Sequence, residues 1–179
     1  MPVGSKGASP QRSLEDAAVL LMDSSPTSLS ILVQIVTGLG AKRLYRCDNV
    51  DEARSIAENQ PVELAIIDVC PPQMGAYAFV RWLRRESLTP NRRAALLLTA
   101  TDTPSSHMQE IFSCGADALV KKPITPSRMI ERIAWATRPE RTFVVTNTYV
   151  GPERRTPERL AADAAAAAAA EAERKAAAG

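Results

Sequence analysis

Four short apolar runs in the chain each end in a polar residue whose chemistry suits phosphoryl transfer. The runs and the residues that end them are 18–22 with Asp23, 64–67 with Asp68, 94–98 with Thr99, and 118–120 with Lys121 and Lys122. Runs of this length, rich in Leu, Ile and Val, predict strands that are buried on both faces. The groups just past the carboxyl ends of parallel strands share one crevice, where ligands bind. The four side chains are therefore expected to converge.

Two carboxylates, a hydroxyl and an ammonium in one crevice suit a phosphoryl group and a divalent metal. Asp68, at the end of the central strand, would attack a phosphoryl donor and form an acyl phosphate. Asp23 would hold Mg²⁺, a hard cation that prefers oxygen ligands. Thr99 would donate its hydroxyl to the phosphoryl oxygens, and Lys122 would supply a positive point charge.

The elements that must position these residues alternate strictly between strand and helix. Such alternation predicts an α/β fold, with a parallel sheet and helices on both faces. The remaining predicted elements are a helix that starts near Pro26 and is stopped by Gly38 and Gly40, a strand at 42–47, and helices at 51–58, 77–85, 105–114 and about 125–137. Gly115 is expected to close the fourth helix as a C-cap. Arg84 and its neighbours Arg81 and Arg85 read as a solvated basic face.

Composition and charge divide the chain into four segments. They are a flexible N-terminus at 1–16, a globular domain at 17–137, an arginine-rich segment at 138–158, and an Ala-rich, helical or disordered tail at 159–179. The net charge is only +2, but residues 121–160 carry nine basic and four acidic side chains. A local basic segment predicts an anionic partner.

Several classes of protein are disfavoured by the same composition. The N-terminus lacks the apolar region of a signal peptide, and no apolar stretch is long enough to span a bilayer. Three cysteines in no metal-like spacing favour free thiols in a reducing cytoplasm. The single histidine, His107, has no second histidine with which to build a metal site or a catalytic triad. We expect a cytoplasmic signalling protein and not an enzyme.

Residues 17–137 resemble a response-regulator receiver domain of the CheY-like kind. Each matching piece is short, but their joint order and spacing are specific. The pieces are Val-Leu-Leu-Met-Asp at 19–23 with Pro26, Ile-Ile-Asp at 66–68 with Pro72 and Met74, Leu-Leu-Thr-Ala at 97–100, and Gly-Ala-Asp at 115–117 leading to Lys122 and Pro123. The resemblance implies a flavodoxin-like sheet of five strands in the order 2-1-3-4-5, and a cis peptide bond between Lys122 and Pro123. It also implies a histidine kinase as the phosphoryl donor to Asp68.

The chain departs from the receiver pattern at positions that matter for phosphorylation. The resemblance implies that Asp23, Asp68 and the backbone carbonyl of Cys70 hold the metal, but Ser24 stands where receivers usually carry a second acid. Mg²⁺ binding is therefore expected to be weak. Leu119 takes the place of an aromatic residue that rotates with phosphorylation in such receivers. One reading is that Asp68 is a vestige of the fold in a receiver that carries no phosphate.

The arginine-rich segment contains side chains suited to a nucleotide. Gly151 and Pro152 are expected to form a turn that presents Arg154 and Arg155 beside Tyr149. Arginine forks bind phosphate and reach guanine O6 and N7, and tyrosine stacks on bases.

Tyr-x-Gly-Pro-acid-Arg-Arg, placed just after a receiver, is similar to the arginine-rich segment of the Cle family. These CheY-like proteins bind cyclic di-GMP through that segment and act on the flagellar motor switch. The residues carried over are Tyr149, Gly151, Pro152, Glu153, Arg154 and Arg155, with Arg138 and Arg141 upstream. The resemblance implies a cyclic di-GMP-binding adaptor. The alternatives are a stand-alone receiver that is phosphorylated on Asp68 and, less favoured, a nucleic-acid binder that uses the basic tail.

Overall fold

Five parallel strands form the central sheet of the protein. The structure, a computed structural model, describes residues 13–69, 74–86, 91–101, 105–139 and 141–154. The strands are β1 (Ala18–Met22), β2 (Arg43–Cys47), β3 (Leu64–Asp68), β4 (Ala95–Ala100) and β5 (Ala118–Lys121). They are hydrogen-bonded in the order β2-β1-β3-β4-β5. This order confirms the predicted flavodoxin-like α/β fold.

Helices cover both faces of the sheet. They are α1 (Pro26–Gly38), α2 (Val50–Asn59), α3 (Met74–Arg85), α4 (Ser105–Ser113) and α5 (Pro126–Ala136). Because side chains alternate across a strand, Ile67 and Leu98 pack into one core layer with Leu83 of α3. Ile66 and Leu97, the neighbouring residues, pack into the other layer, which α1 and α5 cover. Burial on both faces explains why these strands are continuous apolar runs.

A small hairpin follows α5 and is paired separately from the central sheet. Its strands, β6 (Phe143–Val145) and β7 (Val150–Pro152), are antiparallel. The predicted turn at Gly151 and Pro152 is wrong, since both residues lie in β7. The chain reverses instead at 146–149, where the Tyr149 amide donates to the Thr146 hydroxyl at 2.9 Å. A side chain that satisfies the turn backbone thus decides where the reversal falls.

The solvated face predicted around α3 is wrong at Arg84. This side chain is 0% exposed, and its guanidinium donates to Asp117 and to three backbone carbonyls. A buried arginine is tolerated here because four hydrogen bonds satisfy most of its five N–H donors.

Some predictions fall outside the described residues, namely those on Cys70, Arg155, most of the N-terminal segment and the Ala-rich tail at 159–179. Among the helices that the structure does describe, none has the length and apolar character needed to cross a membrane.

Candidate functional site

The four strand-end side chains meet in one cluster. Lys122 Nζ lies 2.9 Å from Asp23 Oδ2 and 2.7 Å from Asp68 Oδ1. The Thr99 hydroxyl donates to Asp68 Oδ1 at 2.9 Å. Asp23, Asp68 and Thr99 are buried, whereas Lys122 is partly exposed. The cluster thus places a carboxylate nucleophile within reach of a hydroxyl donor and a cation.

The strand register brings these residues together. Asp68 pairs with Thr99 across β3 and β4, and the Val69 amide donates to the Thr99 carbonyl at 2.7 Å. The Lys122 amide donates to the Ala100 carbonyl at 2.8 Å, which holds the end of β5 beside β4. The peptide bond between Lys122 and Pro123 is cis, as the resemblance to receivers implies.

The start of α1 fixes the first carboxylate. The side chain of Ser25 caps the helix by accepting from the Ser28 amide at 3.3 Å. The Ser25 amide in turn donates to Asp23 Oδ1 at 2.8 Å. Because Asp23 accepts from Ser25 through one oxygen and from Lys122 through the other, its carboxylate has one defined orientation.

Lys122 is held in its charged form by its neighbours. Burial by itself would lower the pKa of Lys122, but the hydrogen bonds to Asp68 and Asp23 and the attraction of their charges together outweigh burial, and the pKa is raised. The lysine therefore stays protonated at neutral pH and can neutralise negative charge that arrives on a phosphoryl oxygen.

The donor set fits Mg²⁺ only in part. Mg²⁺ is usually bound through one or two carboxylates together with waters and substrate phosphates, and Asp23 and Asp68 can supply those carboxylates. Ser24 is exposed and offers a neutral hydroxyl in place of an acid. Within the described residues, no group of three His, Cys, Asp or Glu side chains could hold a metal ion. Lys122 already contacts both carboxylates, so a bound cation would compete with it.

Residues 19–134 match the family described as "Response regulator receiver domain". The chain belongs to this family. A probable chemotaxis protein CheY of Rhizobium etli is 27% identical over 115 residues, which are 64% of this chain and 88% of that protein. A probable transcriptional regulator of Cyanidium caldarium is 30% identical over 115 residues, which are 64% of this chain and 44% of that protein.

Solved structures of receivers show the same fold. The chemotaxis response regulator CheY4 of Vibrio cholerae has a TM-score of 0.60 at 22% identity, over 67% of this chain and 98% of that one. A receiver domain of a Syntrophus aciditrophicus histidine kinase has a TM-score of 0.61 at 24% identity, over 74% of this chain and 99% of that one. At this level of identity the likeness concerns the fold alone.

The hairpin of this receiver carries the second candidate site. Arg154 places its guanidinium carbon 4.7 Å from the centre of the Phe112 ring, and Phe112 is 41% exposed. Arg154 Nε also lies 3.4 Å from the Tyr149 hydroxyl, and Nη2 donates to the Ala116 carbonyl. Tyr149 donates its own hydroxyl to the Pro152 carbonyl at 2.9 Å. The rings of Phe112 and Tyr149 therefore flank the exposed guanidinium of Arg154 at the end of β7.

The other residues predicted to bind the nucleotide do not all present their side chains beside Arg154. Gly151 and Pro152 are buried in β7 and form part of its backbone. Glu153 is half-buried next to Arg154. Arg138 lies over the ring of Trp135, with 4.2 Å between its guanidinium carbon and the ring centre. Arg141, by contrast, directs its guanidinium into the receiver and not toward solvent.

Sequence reasoning missed two residues that organise this end of the molecule. Asp117 is buried and accepts from Arg84, from Arg141 and from the Leu96 amide. Phe112 provides the exposed aromatic face for Arg154. Asp117 had a signal, because it belongs to the Gly-Ala-Asp piece of the receiver pattern. No sequence signal connected Asp117 with its partners Arg84 and Arg141, because they lie 33 and 24 residues away along the chain.

Proposed function

We propose that this receiver is a signalling adaptor that binds cyclic di-GMP through its arginine-rich segment, residues 138–158, and passes the signal to a protein partner, such as the flagellar motor switch, in the cytoplasm. The observation that carries the proposal is the arrangement at the end of β7. Arg154, Tyr149 and Phe112 combine a guanidinium fork with planar faces, and such groups suit phosphates and bases. The hairpin also packs on the receiver body, so an event at the segment can reach a docking surface there.

Calorimetry with the full chain tests this proposal. We expect cyclic di-GMP to bind, and the double variant Arg154→Ala with Arg155→Ala to abolish the heat of binding. The matched control removes the same charge from α5, through Arg128→Ala with Arg132→Ala, because both of these side chains are exposed. Binding that survives the first pair, or that is lost equally with the second, would overturn the assignment of the site.

The same experiment separates nucleotide recognition from nucleic-acid binding. A nucleic-acid binder that used the basic segment would take up duplexes of any sequence, with an affinity that falls steeply as salt rises. The adaptor should instead prefer cyclic di-GMP to GTP and should leave an oligonucleotide duplex unbound at physiological salt. Tight binding of the duplex with no preference for the cyclic dinucleotide would contradict the adaptor.

A second candidate function, compatible with the first, is phosphorylation of Asp68 by a histidine kinase. The geometry that favours it is the contact of Asp68 with both Thr99 and Lys122. An Asp68 oxygen would attack the phosphorus of a phosphohistidine, the bond between phosphorus and nitrogen would break, and the imidazole would take up a proton. Mg²⁺ held by Asp23 and Asp68 would offset charge on the phosphoryl oxygens.

Intact-mass measurement after incubation with a small-molecule phosphodonor and Mg²⁺ tests this second function. We expect the addition of one phosphoryl group to the wild type and none to Asp68→Asn. An ordinary receiver incubated in parallel provides the positive control. If that receiver is labelled and this chain is not, Asp68 is a vestige of the fold, and the adaptor function stands without phosphorylation.

A further inference from the structure

Arg141 is engaged inside the receiver and not displayed to a ligand. Its side chain is 11% exposed. Nη1 donates to Asp117 Oδ1 at 2.8 Å and to the Ala136 carbonyl at 3.2 Å. Nη2 donates to the carbonyls of Arg93 and Ala94. A guanidinium with this many acceptors has little donor capacity left for a phosphate or a base.

The partner of Arg141 belongs to the core of the domain. Asp117 has a fully buried side chain, and its other oxygen accepts from Arg84 at 2.9 Å and from the Leu96 amide at 2.7 Å. Leu96 lies in β4, so this network ties Arg141 to the central sheet. One buried and one partly buried arginine are held on this carboxylate by charge-assisted hydrogen bonds, which are stronger than neutral ones.

The hairpin packs against the receiver beside this Asp117 network. The Phe143 ring, at the start of β6, lies 5.2 Å from the guanidinium carbon of Arg84 and 5.9 Å from that of Arg141. On the other strand, the α-carbon of Gly115 is so close to Gly151 that a β-carbon on Gly151 would lie 2.9 Å from it. Both strands are thus in contact with the receiver at points next to Asp117.

We propose that Arg141 is a positioning residue, which anchors the hairpin to the receiver through Asp117 and so presents Arg154 and Tyr149 to the nucleotide. The anchoring itself is a property of the free protein. The consequence for the ligand rests on the proposed function, because it needs a nucleotide that binds there. Arg154 contacts the ligand, whereas Arg141 sets where Arg154 lies.

Hydrogen exchange of the ligand-free protein tests the anchoring. In Arg141→Ala, the backbone amides of β6 and β7 should exchange at least about tenfold faster than in wild type, while those of β1 and β3 keep their protection. Arg141→Lys, which keeps the charge but loses the fork, should fall between the two. Arg132→Ala, on the exposed face of α5, should change nothing. Unchanged exchange in the hairpin of Arg141→Ala would overturn the anchor.

The salt dependence of cyclic di-GMP binding tests the role toward the ligand. Arg154→Ala should lower the slope of log Kd against log salt concentration, because an exposed charge contact with phosphate, which salt screens, is lost. Arg141→Ala should weaken binding at least about threefold but keep the wild-type slope. A lowered slope in Arg141→Ala, as in Arg154→Ala, would make Arg141 a ligand contact and overturn the positioning role. If the wild type binds no cyclic di-GMP, the proposed function fails with the ligand role, and the exchange experiment alone decides the anchor.

Discussion

Replacing the buried guanidinium of Arg84 by an apolar side chain of similar length should destabilise the whole domain. Arg84→Met removes the ion pair with Asp117, at 2.9 Å, and the bonds to the carbonyls of Gly115, Arg92 and Ala94 at 2.9, 2.8 and 2.7 Å. Each buried acceptor that loses its donor costs about 1–3 kcal/mol. Removing one partner of a buried ion pair costs about 3–5 kcal/mol.

The expected loss comes mainly from the three carbonyls, at about 1 kcal/mol each, because the cost of breaking the ion pair is largely avoided. Asp117 keeps two other donors, Arg141 and the Leu96 amide, so its charge is not left without a partner. The methionine also recovers some apolar burial. We therefore expect the free energy of unfolding to fall by about 3 kcal/mol. That is a large share of the roughly 5–15 kcal/mol that stabilises a typical domain.

Urea unfolding followed by circular dichroism measures this loss by linear extrapolation. Arg81→Met is the matched control, because Arg81 lies on the same helix and its ion pair with Glu110 is at the surface, with the arginine side chain 39% exposed. A surface pair contributes at most about 1 kcal/mol. If Arg84→Met and Arg81→Met lose the same free energy within about 1 kcal/mol, the buried network does not stabilise the fold as argued.

Three further perturbations have outcomes that the structure sets. Ser24→Asp restores an acid beside Asp23 and should tighten Mg²⁺ binding by at least about tenfold, measured by calorimetry; unchanged affinity would contradict the metal assignment. Gly115→Ala would place a methyl group against the Val150 carbonyl oxygen at a φ of +97°, and should lower the free energy of unfolding by about 1–3 kcal/mol. An unchanged free energy of unfolding would contradict both the backbone strain and the close packing of the hairpin at Gly115. The pKa of Lys122 is raised in the folded protein, so its stabilising effect is fully present below its ordinary pKa of 10.5 and is lost as pH rises through the folded value. The difference in free energy of unfolding between wild type and Lys122→Met, measured by urea titration, should therefore shrink above pH 10.5. A difference that stays constant with pH would refute this.

The sheet could be predicted from the sequence because burial on both faces leaves a pattern that is local. The run that ends at Asp68 is apolar throughout, and its buried side chains are divided between the two core layers. The convergence of Asp23, Asp68, Thr99 and Lys122 follows from parallel strand order, and needs no knowledge of individual contacts. The cluster could therefore be predicted as soon as the order of the strands had been predicted.

The hairpin and its anchor were not predictable, because they depend on contacts between distant residues. Arg84 follows the apolar Leu83 on α3, and nothing in the local sequence distinguishes it from a solvent-exposed arginine. Its burial depends on the contact with Asp117, which lies 33 residues away along the chain. The packing of the hairpin depends on the close approach of Gly151 to Gly115, which is a contact between backbones 36 residues apart. Three-residue strands also leave too short a pattern to be recognised.

The two candidate sites lie at opposite ends of the sheet, and this constrains how they could communicate. Asp68 lies at the carboxyl end of β3, whereas Asp117 precedes the amino end of β5. Both contact β4, at Thr99 and at the Leu96 amide, three residues apart on one rigid strand. If cyclic di-GMP at the hairpin changes the affinity of the Asp68 cluster for Mg²⁺, then Mg²⁺ must change the affinity for cyclic di-GMP by the same factor. A factor of one in either direction would make the two sites independent, and β4 a scaffold that only holds them.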